Sequence, residues 1–363
     1  MDTTAFNKDF PEKIISYLAT GFVKWDFKLC EENKFYPYPE EIKVGWDRLA
    51  AYCINHSISF PENLKDLLEF FHKPISNWGI LDDKKIFSDE ALLEDGIPTE
   101  TCNQLAVQTG DIEAELTQRL LLKVRDVCNL EDAPIDYVIF REFIIKHPTI
   151  KKKKLIDFKN NPDSGCAAEY ISEAYEDIPA SAFFNGKVYK CSNCGWIIEW
   201  KNNRPACDSN LCSYYTNQFN DPEPEVLETP KMYQRLKRGI QRFIARPGRW
   251  ELELANKLQK LNLKIELWPD FDKYDLRITF PDETVWAVDV KDWSNPYLLA
   301  KNATIPDTPY WDKAFIVVPK YRKDSFPNYK QIFINHSNNQ TGVSFDFDNE
   351  FIKRVKELGK EGN

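Results

Sequence analysis

Gly248–Trp293, GRWELELANKLQKLNLKIELWPDFDKYDLRITFPDETVWAVDVKDW, reads as a helix, two strands, a turn and a further strand, with acidic residues gathered at the strand ends. On the helix, Glu251, Leu254, Leu258 and Leu261 recur at helical spacing, which places Glu251 on the buried stripe. Glu253 precedes Lys257 by four residues on the outer face, a favourable surface pair, so Glu251 is the carboxylate that needs a reason. On the last strand, period-two alternation sets Val285, Ala287, Asp289 and Lys291 on one face and Trp286, Val288 and Val290 on the other. A turn centred on Asp282 puts Asp275 opposite Asp289, with Cβ atoms about 5 Å apart.

Two carboxylates facing each other across a sheet repel, and a shared cation gives the arrangement its sense. Oxygen ligands without histidine suit Mg(II) or Mn(II). Such a cation would polarise a scissile phosphate and acidify a bound water, while Lys291 orients that water or stabilises charge growing on phosphorus. Glu251, Asp275, Asp289 and Lys291 are therefore the candidate catalytic set, the three carboxylates doubling as metal ligands, and phosphodiester hydrolysis is the implied reaction. Asp270, in a Pro-Asp dipeptide, and Asp272 lie in the preceding loop, where geometry is less constrained. The plain structural alternative is that D-x-K on a strand supplies edge charges or salt bridges; the facing Asp275, the inward Glu251 and a following helix over Ser294–Asn302 weigh against it.

Upstream, Lys231–Arg249 holds seven basic residues and no acidic one. This reads as a basic helix near Met232 with Leu236, Ile240, Phe243 and Ile244 inward, and Arg235, Lys237, Arg238 and Arg242 are candidate nucleic-acid contacts. The acidic, Pro-rich FNDPEPEVLETP before it reads as a linker. Further back, CSNCGWIIEWKNNRPACDSNLC spaces Cys191, Cys194, Cys207 and Cys212 as two close pairs. That is the pattern of a zinc ribbon with four thiolates on one tetrahedral Zn(II), closed to chemistry and structural in role, with Trp196, Ile197, Ile198 and Trp200 forming its hairpin core. A redox C-x-x-C would leave the second pair idle. The segment APIDYVIFREFIIKHPTIKKKKLIDF gives a helix with Tyr137, Phe140, Ile144 and Ile145 inward, a stop at His147-Pro148 and a second short helix after a basic run. This is a helix-turn-helix outline, with Lys151 and Lys152 as candidate phosphate contacts or simply a solvated helix start. Residues 1–132 read as mainly helical, with clusters such as LKDLLEFF and IEAELTQRLLLKV, and carry no catalytic motif.

The chain has 363 residues, 42% of them hydrophobic, which is enough for several buried cores. Its net charge of -9 argues against a protein coated in nucleic acid, yet Phe60–Asp132 alone, with 16 acidic and 7 basic residues, accounts for that deficit. No run of 18 apolar residues occurs and the start MDTTAFNKDFPEK is acidic, so no membrane span or signal peptide is expected, and the cytoplasm is the expected compartment. Nine cysteines, five of them scattered singly, suit reduced thiols rather than a disulfide framework. The four histidines sit in no triad or metal motif.

The stretches GIQRFIARPG, ELWPDFDKYDLRI and WAVDVKDWSNPYLLAK resemble the restriction-endonuclease-like proteins encoded beside prokaryotic PIWI proteins in three-gene conflict islands, and YVIFREFIIKHPTI and the cysteine ribbon match that family's upstream layout. The resemblance covers roughly residues 134–335 and implies a PD-(D/E)xK nuclease acting on DNA in defence against phage or plasmid, alongside a PIWI-type protein and a helicase. Glu251, Asp275, Asp289 and Lys291 fall on the family's nuclease positions. The expected chain is thus an α+β multidomain protein: a helical domain over 1–132, a helix-turn-helix or winged-helix segment over 133–185, a zinc ribbon over 186–218, a linker over 219–230 and a restriction-endonuclease-like α/β domain over 231–363. A homo-oligomer is compatible with this reading, with no interface legible. The competing expectation is a non-catalytic nucleic-acid-binding or adaptor protein on a nuclease-like fold.

Overall fold

A computed structural model describes residues 10–32, 37–81, 87, 90–94, 96–107, 119–201, 204–207, 212, 224–337 and 342–361. The protein is mixed α+β and divides into two compact units. The first comprises Met1–Glu115, Trp293–Ala303 and Asp324–Asn338; the second comprises Leu116–Asp292, Thr304–Lys323 and Asn339–Asn363.

The first unit is helical, as its apolar spacing predicts. In α1 (Phe10–Glu32) the residues Ile14, Ile15, Leu18, Ala19, Phe22 and Val23 form one buried stripe. It packs closely on α2 (Glu40–Asn55), because a Cβ at Gly21 would sit 2.6 Å from Ile42 Cγ1 and one at Gly45 2.7 Å from Leu18 Cδ2. The expected LKDLLEFF helix is α3 (Leu64–Phe71), started by Asn63, whose side chain accepts from Asp66 N. A short antiparallel pair, β1 (Leu93–Glu94) and β2 (Ile97–Pro98), then precedes α4 (Glu100–Val107). Two helices from far along the chain, Pro296–Asn302 and Tyr329–His336, belong to this unit and pack on each other. Of IEAELTQRLLLKV, residues 112–118 lie outside the described residues, and the remainder opens α5 (Arg119–Leu130).

In the second unit α5 packs on α6 (Pro134–Lys146), whose buried face carries the expected Tyr137, Phe140, Ile144 and Ile145. The helix stops before His147-Pro148, but the next three residues form strand β3 (Thr149–Lys151) before α7 (Lys152–Asn160). The predicted basic helix near Met232 begins instead as strand β9 (Tyr233–Leu236), the centre of a sheet with β3 on one side and β4 (Tyr175–Asp177) on the other. The helical turn Arg238–Ile240 and a π segment, Gln241–Ala245, then lead into α8 (Arg246–Gln259). The end of the predicted linker forms a strand: β8 (Glu225–Leu227) pairs antiparallel with β5 (Val188–Lys190), and between them β6 (Glu199–Lys201) pairs antiparallel with β7 (Arg204–Ala206). One hydrophobic core joins α5, α6, the ribbon residues Trp196 and Ile198, and Leu236, Ile240 and Leu252.

Five strands form the principal sheet: β10 (Lys264–Leu267), β11 (Leu276–Thr279), β12 (Val285–Val290), β13 (Lys313–Val318) and β14 (Val343–Phe347), in that spatial order. The first three pair antiparallel and the last two join in parallel. Trp286, Val288 and Val290 share a core with Leu254 and Leu258 of α8 and with Phe351 and Val355 of the C-terminal helix Asp348–Glu361. No described helix is long and apolar enough to cross a membrane.

Candidate functional site

The antiparallel register pairs Leu276 with Val288 and Arg277 with Ala287. Continued by one residue, it sets Asp275 opposite Asp289, both buried. The Val290 N–H donates to Asp275 Oδ2 at 2.6 Å, and Lys291 Nζ donates to Asp289 Oδ1 at 2.9 Å. Burial pushes the Asp289 carboxyl well above its usual range, opposed by Lys291 and reinforced by the neighbouring Asp275. Burial works against the Lys291 charge as well, but Asp289 and Asp275 overcome it and hold the ammonium above the usual lysine range. The strand end is fixed just past Lys291, where the half-buried Asp292 accepts from Arg322 Nε at 2.7 Å and Trp250 Nε1 at 3.1 Å.

Glu251 lies on the buried face of α8, while Glu253 pairs with Lys257 at 2.7 Å on the outer face. Glu251 Oε2 accepts from Arg141 Nη2 at 3.0 Å and from Trp268 Nε1. Burial raises the Glu251 carboxyl to about 7, against the pull of the Arg141 guanidinium; the Asp275 charge adds to the rise. Trp268 opens a loop of left-handed residues, with φ of 48° at Trp268, 48° at Asp270, 54° at Phe271 and 77° at Asp272. Such residues are strained unless their surroundings hold them. Here Trp268 N donates to Asp275 O at 2.8 Å, and Asp272 accepts from Arg141 and, at 3.3 Å, from the Tyr137 hydroxyl. Asp270 is exposed at the loop tip.

Arg141 and Trp268 are absent from the sequence-derived set. A signal existed for Arg141: it follows Tyr137 by four residues on the apolar stripe of α6, the argument that singled out Glu251.

The four ribbon thiols converge. Gly195, at φ 72°, makes the turn that returns its N–H to Cys191 O at 2.9 Å, and Cys194 Sγ lies 3.4 Å from Cys207 Sγ. All four Sγ atoms, of Cys191, Cys194, Cys207 and Cys212, lie within 4.8 Å of one another, so this cluster could hold a metal ion. Four soft sulfur donors in a closed set fit zinc. Among the described residues, the group of metal-ligating side chains so gathered is this cysteine cluster; Glu251, Asp275 and Asp289 do not form another.

The basic stretch differs from its reading as a contact surface. Arg235, Arg238 and Arg242 are buried; Arg235 donates to Glu176 at 2.8 Å and lies 3.6 Å from Glu199, to which Arg238 also donates, so Arg235 and Arg238 tie the three-stranded sheet to the cysteine hairpin. Density of positive charge in a sequence does not reveal acidic partners far along the chain. Lys237 and Lys151 are exposed, and Lys152 pairs with Asp177 at 2.8 Å.

Residues 248–363 match the family model described as REase associating with pPIWI_RE, and residues 16–151 match the pPIWI_RE three-gene island domain Y. The chain matches a REase-associated protein of the pPIWI-RE islands. The first 130 residues, nameless from their motifs, thus fall largely in domain Y. The pPIWI-RE REase segment contains Glu251, Asp275, Asp289 and Lys291; Arg141 comes from the domain Y segment, and the four cysteines lie between the two. No solved structure matches the chain.

Proposed function

We propose that the protein is a PD-(D/E)xK endonuclease dependent on Mg(II) or Mn(II), hydrolysing DNA phosphodiesters in a prokaryotic defence system with a PIWI-type partner and a helicase. The observation that carries this reading is the facing of buried Asp275 and Asp289 across β11 and β12, with Lys291 on Asp289. Asp275 and Asp289, with Glu251, would hold the divalent ion, which when bound supplies Lewis-acid polarisation of the phosphate and an acidified water. Lys291, held charged by the two aspartates, is placed to stabilise negative charge at phosphorus. The four cysteines would hold structural Zn(II), α6 and α7 would serve as a helix-turn-helix-like element, and the nuclease unit would start near residue 231.

A second reading, a nuclease-like fold that binds nucleic acid without cutting it, draws on Glu251, whose carboxylate is turned to Arg141 and Trp268. Incubation of plasmid and single-stranded DNA with Mg(II) or Mn(II) separates the two. Cleavage that needs metal and vanishes in Asp289→Ala and Lys291→Ala is expected; DNA retention without cleavage under either metal, with the PIWI-type partner added, would sink the enzyme reading.

A further inference from the structure

We infer that Arg141, on α6 and outside the REase segment, is a positioning residue of the acidic centre that acts through Glu251. The inference rests on the nuclease reading of that centre. Arg141 is a buried cation on an apolar helix face, and its two terminal nitrogens divide between two acids. Nη2 donates to Glu251 Oε2 at 3.0 Å and Nη1 donates to Asp272 Oδ2. The guanidinium lies 4.6 Å from the Trp268 ring centre, and that indole donates to the same Glu251 oxygen.

Both donors therefore land on Oε2 and neither on Oε1. A carboxylate carries acceptor sites on both oxygens, so this arrangement fixes the rotation of Glu251 while leaving Oε1 for a cation. The same arginine also holds the strained Trp268–Asp272 loop through Asp272, and that loop returns to Asp275 through Trp268 N. One planar fork thus sets the helix carboxylate and the loop entering β11. Lysine, a single point charge, cannot span both acids or stack on the indole in the same way.

The test is a double-mutant cycle in the full, zinc-loaded chain, with Mn(II) affinity read by electron paramagnetic resonance and kcat and KM read on DNA. Arg141→Lys is expected to weaken Mn(II) binding about 10-fold and lower kcat about 100-fold with KM changed less than about 2-fold. In a Glu251→Gln background the Arg141→Lys change should add nothing further. Effects that multiply in that background, or an Arg141→Lys chain with wild-type affinity and kcat, would overturn the inference. If Arg141→Lys does not fold, Asp272→Ala keeps the guanidinium and removes its second anchor, and should shift both readouts in the same direction, again only while Glu251 is present. A wild type that binds Mn(II) through Asp289 but cuts nothing refutes the nuclease reading alone, since the affinity cycle still reports on Arg141. A wild type that neither binds Mn(II) nor cuts overturns both.

Discussion

The Val290 N–H donates to Asp275 Oδ2 at 2.6 Å, so one aspartate is bonded to the strand that carries Asp289 and Lys291. Its charge and its acceptor role are separable. Asp275→Asn keeps an acceptor for Val290 and is expected to fold with near wild-type stability while losing divalent-ion binding and at least about 100-fold in cleavage. Asp275→Ala also orphans a buried N–H, and should cost a further 1–3 kcal/mol or so in urea unfolding. Equal stability of the two variants would show that the Val290 bond contributes nothing.

Proton and metal binding should be coupled at the proposed centre. Burial raises Glu251 from 4.5 to about 7, and Asp289 is raised in the same direction, so each binds its proton more tightly folded than unfolded. A carboxyl of this kind favours folding fully below its unfolded pKa, and that contribution is lost as pH climbs to the folded value. The Mg-free chain should therefore lose stability through Glu251 between about pH 4.5 and 7. Mn(II) selects the ionised form, so its stabilisation, about 2.7 kcal/mol at a hundredfold excess over Kd, should be larger near pH 8 than near pH 6 and absent in Asp289→Asn. Thermal unfolding with and without Mn(II) measures this, and an equal gain at both pH values would refute the linkage.

The cysteine cluster braces α8. Arg249, two residues before Glu251, donates through Nη2 to Asn193 O at 3.0 Å, and Asn193 donates to Cys212 Sγ at 3.6 Å. Cys191, Cys194 and Cys212 also belong to the core shared with α5 and α6. We expect about one zinc per chain. Cys194→Ser should lower the midpoint of unfolding for the second unit as a whole and not merely loosen the hairpin. Retention of wild-type unfolding after zinc release would contradict this.

In the first unit Asn295 is fully buried; its side chain accepts from Tyr297 N and Leu298 N and donates to Glu90 Oε2 at 3.0 Å. Its backbone N–H and the Ser294 hydroxyl both donate to Gln104. Asn295→Ala removes a helix cap and strands buried partners, and should cost roughly 2–4 kcal/mol. For the same reason residues 248–363 made alone should be protease-sensitive around 293–303, whereas the full chain resists there.

The candidate centre was legible because its logic is local: four helix positions and one short antiparallel turn determine where Glu251, Asp275 and Asp289 point. The same periodicity located α3 and the inward face of α6. Non-local pairing was not legible. Nothing in YQRL says that it lies between Thr149–Lys151 and Tyr175–Asp177, and Arg235 and Arg238 look solvated until Glu176 and Glu199 are known to meet them. The acidic composition around Glu225 hid a strand whose partner lies well back in the chain. Arg141, a lone arginine on an apolar helix face, acquires meaning only through Glu251 and Asp272, which lie far along the chain.

The first unit is interrupted in sequence, with the helices Pro296–Asn302 and Tyr329–His336 following most of the second. During synthesis its opening segment leaves the ribosome long before those two helices, so it must wait half-made while Glu251, Asp275, Asp289 and Lys291 are already translated. A chain truncated before residue 324 would contain every candidate catalytic residue yet keep an unfinished amino-terminal core, open to cellular proteases. The interruption thus ties completion of the first unit to the far end of the chain, so the residues of the proposed centre are all made before that unit can close.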